Sequence, residues 1–360
     1  MRRAAHAVID LKALRHNFKR VRGLAPASRV MAVIKADAYG HGMVTVAHAL
    51  RKEADSFAVA CVPEALSLRA AGISLPIVSL QGFNGAQQLS AAAEQRIHLV
   101  LHHPQQLRTL ETVSLNHPVK VWLKIDSGMH RLGFSPHYLA DIHHRVIKLN
   151  SVSKPVGLMT HLACADDRSS PYTRHQLEIF DTVVRRLEGE HSIANSAGVL
   201  GNPDSHRDWV RPGIMLYGAS PFSDGNAAQE DLKSVMTLKA PLISVKQVRK
   251  GDAVGYGGTF ICPQDMPVGV AAIGYGDGYP RHAASGTPVL INAQKTRLIG
   301  RISMDMLTVD LRGLRNVGLG DEVILWGQGL PVDDIARCAG TISYELLCNV
   351  GNRAYTIVQG

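Results

Sequence analysis

No apolar run in the chain approaches the length of a membrane span, and Asp10 and Lys12 arrive too early for the apolar core of a secretory leader. A cytoplasmic protein with no membrane partner is expected. The five cysteines (Cys61, Cys164, Cys262, Cys338 and Cys348) are odd in number, widely spaced and without a C-x-x-C pair. Reduced thiols are expected rather than a disulfide or zinc framework, and no metal. There is no Gly-Lys pair, and G-x-G-x-x-G, G-x-S-x-G and H-E-x-x-H are missing too. Nucleotide hydrolysis, the usual dinucleotide binding and the common hydrolase and zinc-protease chemistries lose support. Net charge is +9, yet basic residues never run beyond two in succession. Their densest group, Arg15, Lys19, Arg20 and Arg22, has helical spacing and reads as a solvated face. No nucleic-acid partner is expected.

The chain does have an ordinary globular composition, 46% hydrophobic and 19% charged, and 360 residues give room for two cores. From Val30 onward short apolar runs alternate with helical periodicity. Strands are expected around 30–35, 57–62, 76–81, 97–102, 119–126, 155–161, 192–196 and 209–218. Helices fall between most of them, with Leu177, Phe180, Val184 and Leu187 marking one face of the clearest. Eight such units predict a parallel (β/α)8 barrel of the TIM type over residues 1–230, with a doubly wound open sheet as the alternative. Over 231–360 the β-rich segments are separated by Gly and Pro turns, which predicts a mainly antiparallel β domain.

The chemistry collects at strand carboxyl ends, where α/β proteins bind ligands. In VMAVIKADAYGHG the apolar run stops at Lys35, whose amine, once neutral, can form a Schiff base with an aldehyde. A lysine snorkelling from a strand end is the plainer alternative. Trp122, Lys124 and Asp126 alternate onto one face of the fifth strand, and Arg131 follows a Gly turn. Taken alone, Asp126 fits a structural ion pair equally well. His161 ends the sixth strand, and Asn195-Ser196-Ala197-Gly198 follows the seventh as a turn able to hold phosphate or merely to cap a helix. Arg211 precedes Pro212, Gly213 and Ile214 at the end of the eighth. In the β domain, VGYGGTF, GYGDGYPR and GRISMDM stand out. The tyrosines there, Tyr275 and Tyr279 among them, also fit plain hairpin structure.

Read in order, AVIKADAYGHG, LKIDSGMHRLGF, THLACADD, ANSAG, WVRPGIMLYG, VGYGGTF, GYGDGYPR, SMDM and TISYE make the chain resemble the alanine racemases over essentially its whole length. The resemblance implies an isomerase that interconverts L- and D-alanine with pyridoxal 5'-phosphate as cofactor, supplying or consuming D-alanine for the bacterial cell wall. It implies a head-to-tail homodimer with shared active sites. Lys35 would carry the cofactor and act as one base, and Tyr256 of the other subunit would be the second. Tyr39, Ser196, Gly213, Ile214 and Tyr344 would hold the phosphate. Arg211 would face the pyridine nitrogen and His161 the ring. Arg131 would bind the cofactor's phenolic oxygen and the substrate carboxylate, with the Met304 amide assisting. Lys124 matches a position that family members carry as a carbamate. Tyr275, Asp166, Arg281, Arg301 and Ile342 match residues of the entrance. Where the family has Asn more commonly, this chain has Asp37, a negative charge expected near the site. A racemase of broader small-amino-acid range, serine included, is the alternative. A decarboxylase of the same build, which should pair the ring nitrogen with an acid, and a non-catalytic cofactor carrier of the barrel alone are the more distant ones.

Overall fold

A computed structural model describes residues 5–351 and 353–360. Strand β1 (His6–Asp10) opens the chain, and eight parallel strands then close into a barrel. They are β2 (Arg29–Val33), β3 (Ser56–Val59), β4 (Ile77–Ser79), β5 (Ile97–Leu101), β6 (Val119–Lys124), β7 (Val152–Met159), β8 (His191–Ser192) and β9 (Trp209–Val210). Closure comes from Val30 of β2 lying beside Val210 of β9, which rules out the open sheet. Their apolar residues are almost wholly buried, as expected of strands covered on both faces. Trp122 fills the barrel, edge-on to Trp209 with ring centroids 6.1 Å apart. Gly157 makes room for it, since a Cβ there would lie 2.3 Å from the indole.

Two barrel strands are much shorter than their apolar runs. β9 stops at Val210 because Pro212 has no N–H for the ladder, and Ile214–Tyr217 coil into a 3-10 turn. β8 is followed by Asn195, whose Oδ1 accepts from the Gly198 amide and caps helix Ser196–Gly201.

The second unit is a mainly antiparallel sheet built on β10 (Met236–Val248). A small hairpin, β11 (Ala253–Val254) and β12 (Phe260–Ile261), stands apart from it. Strands β13 (Met266–Ala271), β14 (Pro288–Ile291), β15 (Gln294–Ile299), β16 (Leu307–Asp310) and β17 (Glu322–Trp326) complete the sheet, with β18 (Tyr355–Gln359) on its edge. β1 belongs here rather than to the barrel: Ala7 lies opposite Leu238 of β10 and beside Thr356 of β18. Asp10 then accepts from the Lys12 and Ala13 amides and starts helix Leu11–Leu24, which returns the chain to the barrel. Among the described residues no helix is long and apolar enough to cross a membrane.

Candidate active site

At the carboxyl ends of the barrel strands lies a cavity of about 530 Å³. Its lining gathers Lys35, Ala36, Tyr39, Gln81, Lys124, Arg131, His161, Asn195, Ser196, Arg211, Gly213, Ile214, Tyr344 and Cys348, with five apolar side chains between them. Five of these carry basic groups and none is a carboxylate.

The chain that delivers Lys35 is unusual. Ala36, Asp37, Ala38 and Tyr39 all lie in the left-handed region, with φ of 52°, 50°, 55° and 54°. Each such non-glycine residue costs roughly 1–2 kcal/mol, so the turn must be held from outside. Glu64 Oε1 accepts from the Ala36 amide at 3.0 Å, and the Ala38 amide donates to Ile34 O at 2.9 Å. The His41 ring places Nδ1 3.0 Å from Ala38 O and 2.9 Å from Tyr39 O, so it serves both as a donor. Asp37 Oδ1 accepts from the Met43 amide, which starts helix Met43–Leu50. Its carboxylate is thus spent on that helix and does not line the cavity. Gly40 (φ 80°) sits so close to Leu347 O that a Cβ would come within 2.3 Å of it. That approach brings helix Ser343–Cys348, with Tyr344 and Cys348, to the cavity wall.

Burial and the Arg131 guanidinium lower the pKa of Lys35, while Glu64 opposes them. Lys124 is pulled down to about 8, by burial and then by Arg211, Arg131 and Lys35. Its expected companion Asp126 only partly compensates, because its Oδ1 is occupied by the Gly128 and His130 amides. Burial beside Arg211 holds the His161 imidazole neutral. Burial alone lowers Arg211 to about 10, so it stays a cation at neutrality. It is fixed by Ser192 Oγ (2.7 Å), Thr160 O (2.6 Å) and Ile193 O (3.1 Å), and lies 3.4 Å from His161 Nδ1. Tyr39 and Tyr344 have their pKa raised by burial and keep their hydroxyl protons. Ser196 Oγ accepts from the amides of Gly213 (2.8 Å) and Met215 (3.4 Å). At Gly213 a Cβ would lie 2.5 Å from Tyr39 Oη, so the space beside that hydroxyl exists only for glycine.

Tyr256, Met304, Tyr275, Asp166, Arg281, Arg301 and Ile342 do not line this cavity. Tyr256 is 69% exposed at the tip of the β11–β12 hairpin, and Met304 is 52% exposed. Arg301 lies against the same hairpin, with Nη1 3.3 Å from where a Gly257 Cβ would be. The Gly276 amide donates to Met304 O, and Arg281 stands 6.0 Å over the Tyr275 ring. Ile342 is exposed at the start of the Tyr344 helix, and Asp166 is near enough to Tyr344 to act on its hydroxyl. Tyr279, by contrast, is a core residue stacked on Trp326. Sequence reasoning missed Gln81, Cys348 and Glu64 as parts of the site. The strand-end rule could have found Gln81, but no local signal marks the other two.

A lysine just beyond the first barrel strand, an acid-free cationic cavity at the barrel mouth and a β domain that supplies part of its wall define a two-domain barrel enzyme. Two family models divide the chain between them. "Alanine racemase, N-terminal domain" matches residues 9–221, and "Alanine racemase, C-terminal domain" matches 235–358. The chain belongs to the alanine racemase family and is an amino-acid racemase, an isomerase. It is 56% identical to the alanine racemase of Thioalkalivibrio sulfidiphilus over 98% of each chain. With that of Halorhodospira halophila it shares 53% identity, covering 98% of this chain and 97% of the relative. The biosynthetic alanine racemase of Pseudomonas aeruginosa superimposes over 100% of both chains with a TM-score of 0.96 at 45% identity. For the enzyme of Acinetobacter baumannii the TM-score is 0.92 at 38% identity, over 99% and 100% of the two chains.

Proposed function

We propose that the protein interconverts L- and D-alanine with pyridoxal 5'-phosphate, in the cytoplasm and in the service of D-alanine for the cell wall. The observation that carries this is the donor set of the cavity. Two amines, two guanidinium groups, an imidazole, three hydroxyls and the Gly213 amide border one space, without a carboxylate. That set suits an aldehyde bearing a phosphate, and the pocket beside Tyr39 Oη that a Cβ would fill suits a group of fixed shape. Tyr39, Ser196, Gly213, Ile214 and Tyr344 would hold the phosphate, with Arg211 and His161 along the ring and Lys35 as the covalent anchor.

When bound, the cofactor supplies the electron sink that acidifies the α-proton of an attached amino acid. Lys35 Nζ moves that proton on one face, and burial with Arg131 beside it favours the neutral amine this requires. Arg131 also binds the substrate carboxylate, helped by the Met304 amide of the partner. Lys124, as a carbamate, would orient Arg131. A pKa near 8 leaves enough neutral amine to take up carbon dioxide. Arg211 keeps its own proton and offers only a hydrogen bond, which restrains charge delocalisation and favours simple return of the α-proton. An acid in that place, as expected of a decarboxylase, is missing from the lining.

Tyr256 moves the proton on the other face. The hydroxyls of Tyr39 and Tyr344 are held protonated, whereas Tyr256 projects from its own chain towards solvent. A head-to-tail homodimer would bring Tyr256 to the partner's cavity, with Tyr275, Asp166, Arg281, Arg301 and Ile342 around the entrance. Mixing Lys35→Ala with Tyr256→Phe chains tests this. In a mixed dimer with shared sites, one site carries both defects and the other neither, so racemisation returns. Its absence in verified mixed dimers would sink the shared-site arrangement. Borohydride reduction and peptide mapping should place a pyridoxyl group on Lys35. A label on Lys124 or Lys120 would overturn the anchor.

A further inference from the structure

The left-handed turn after Lys35 is tied to the neighbouring strand by one side chain, Glu64, in helix Val62–Ala70. Its Oε2 accepts from the Ala60 amide at 2.6 Å, just beyond β3. Its Oε1 accepts from the Ala36 amide at 3.0 Å, just beyond Lys35. The first contact alone would be ordinary helix capping, four residues back along the chain. The second is not local: it spans 28 positions and lands on the first of the four left-handed residues.

We propose that Glu64 is a positioning residue for Lys35, a carboxylate clasp that holds the lysine's turn in place and sets a negative charge against its amine. The groups facing Lys35 from the surrounding elements are otherwise cationic or neutral. They are Arg131 and Lys124 from the fifth barrel unit, His161 and Arg211 from the sixth and eighth, and Tyr344 and Cys348 from the second domain. Burial and Arg131 push the amine towards its neutral form; Glu64 opposes them, and Cys348 does so less. The clasp therefore does two separable things. Its oxygens bind two amides, which is geometry. Its charge retains the proton on Lys35, which moderates an amine that would otherwise lose it more readily.

Glutamine separates these from plain capping, because it offers one acceptor oxygen where two N–H groups need one each. In the full-length protein, Glu64→Gln should speed hydrogen exchange in a peptide covering 34–40 or 58–62. The pH profile for methylation of Lys35 by formaldehyde and cyanoborohydride, in full-length chain freed of cofactor with hydroxylamine, should shift to lower pH. At pH 7 the labelling should be severalfold faster. Glu64→Asp keeps the charge but shortens the reach, so exchange should rise while the methylation profile moves less than with glutamine. Unchanged exchange and an unchanged profile in Glu64→Gln would overturn the proposal. Equal profile shifts in both variants would reduce Glu64 to a helix cap. A check that needs no variant is the Ala36 amide itself: exchange at the rate of a free amide would also overturn it. The proposal rests on Lys35 being the working lysine only for its effect on turnover. A borohydride label elsewhere would defeat that reading, and these readouts on the clasp would still stand.

Discussion

Arg211 Nη2 lies 2.6 Å from the carbonyl oxygen of Thr160, the residue just before His161. Ile193 O and Ser192 Oγ accept from the same guanidinium, which is only 5% exposed. A cation donating to three acceptors is expensive to remove, because the Thr160 and Ile193 carbonyls lose a donor in the interior. Arg211→Met should lower the unfolding free energy by about 3 kcal/mol, the cost of leaving buried acceptors without a donor. Arg211→Lys should cost less, since an ammonium can still reach part of the set. Urea denaturation of the two variants checks both the loss and the order.

Gly213→Ala should weaken cofactor binding more than it weakens the fold. The new Cβ would lie 2.5 Å from Tyr39 Oη and 3.2 Å from Cζ, so the tyrosine must move. Overpacking of this kind costs about 1–3 kcal/mol. Titration of the cofactor-free protein with pyridoxal phosphate should show a clearly raised dissociation constant. An unchanged constant would mean that Tyr39 has slack.

Acid should destabilise the protein before its carboxylates titrate fully. Burial lowers the pKa of His41 and of His98 to about 4. Unfolded, each would take up a proton near its ordinary 6.5. Their contribution is therefore complete above pH 6.5 and is lost as pH falls towards 4, at about 1.4 kcal/mol per pH unit for each ring. Urea midpoints between pH 7 and 5 should fall steeply, and His98→Leu should reduce the slope by about one proton.

On the alkaline side the sign works in the same way. The pKa of Lys124 in the fold, about 8, lies below its ordinary 10.5, so the unfolded chain binds the extra proton between those values. Stability from this site rises with pH across that window and is lost as pH falls through about 8. Lys124→Met should flatten the rise in urea midpoint from pH 8 to 10. An equally steep rise in the variant would assign the effect to other groups, Lys35 first.

Tyr256→Phe should make the enzyme one-faced. With Lys35 intact, the variant should exchange the α-proton of D-alanine with deuterated solvent faster than that of L-alanine, while racemisation nearly stops. Nuclear magnetic resonance of each enantiomer measures this. Equal exchange from both would place a second base elsewhere in the cavity.

Much of the barrel is legible in the sequence because its signal is local. An apolar run marks a strand buried on both faces, and the polar residue that ends it marks the strand's carboxyl end. Lys35, Lys124, His161, Ser196 and Arg211 could be assigned to one mouth on that basis, and all of them line one cavity. Motif order likewise carries the family. Local signals fail where the backbone is held by residues distant in the chain. In Ala36-Asp37-Ala38-Tyr39 only Asp37 tolerates positive φ readily, and the other three side chains normally resist it. The conformation exists because Glu64, His41 and the close approach of Leu347 to Gly40 stabilise it together. Strand β1 is a similar case: residues 1–230 are expected to belong to the barrel, and only pairing with β10 and β18, more than 220 positions away, assigns β1 to the second domain. Periodicity selects the strands; long-range packing decides which sheet accepts them and how the lysine is held.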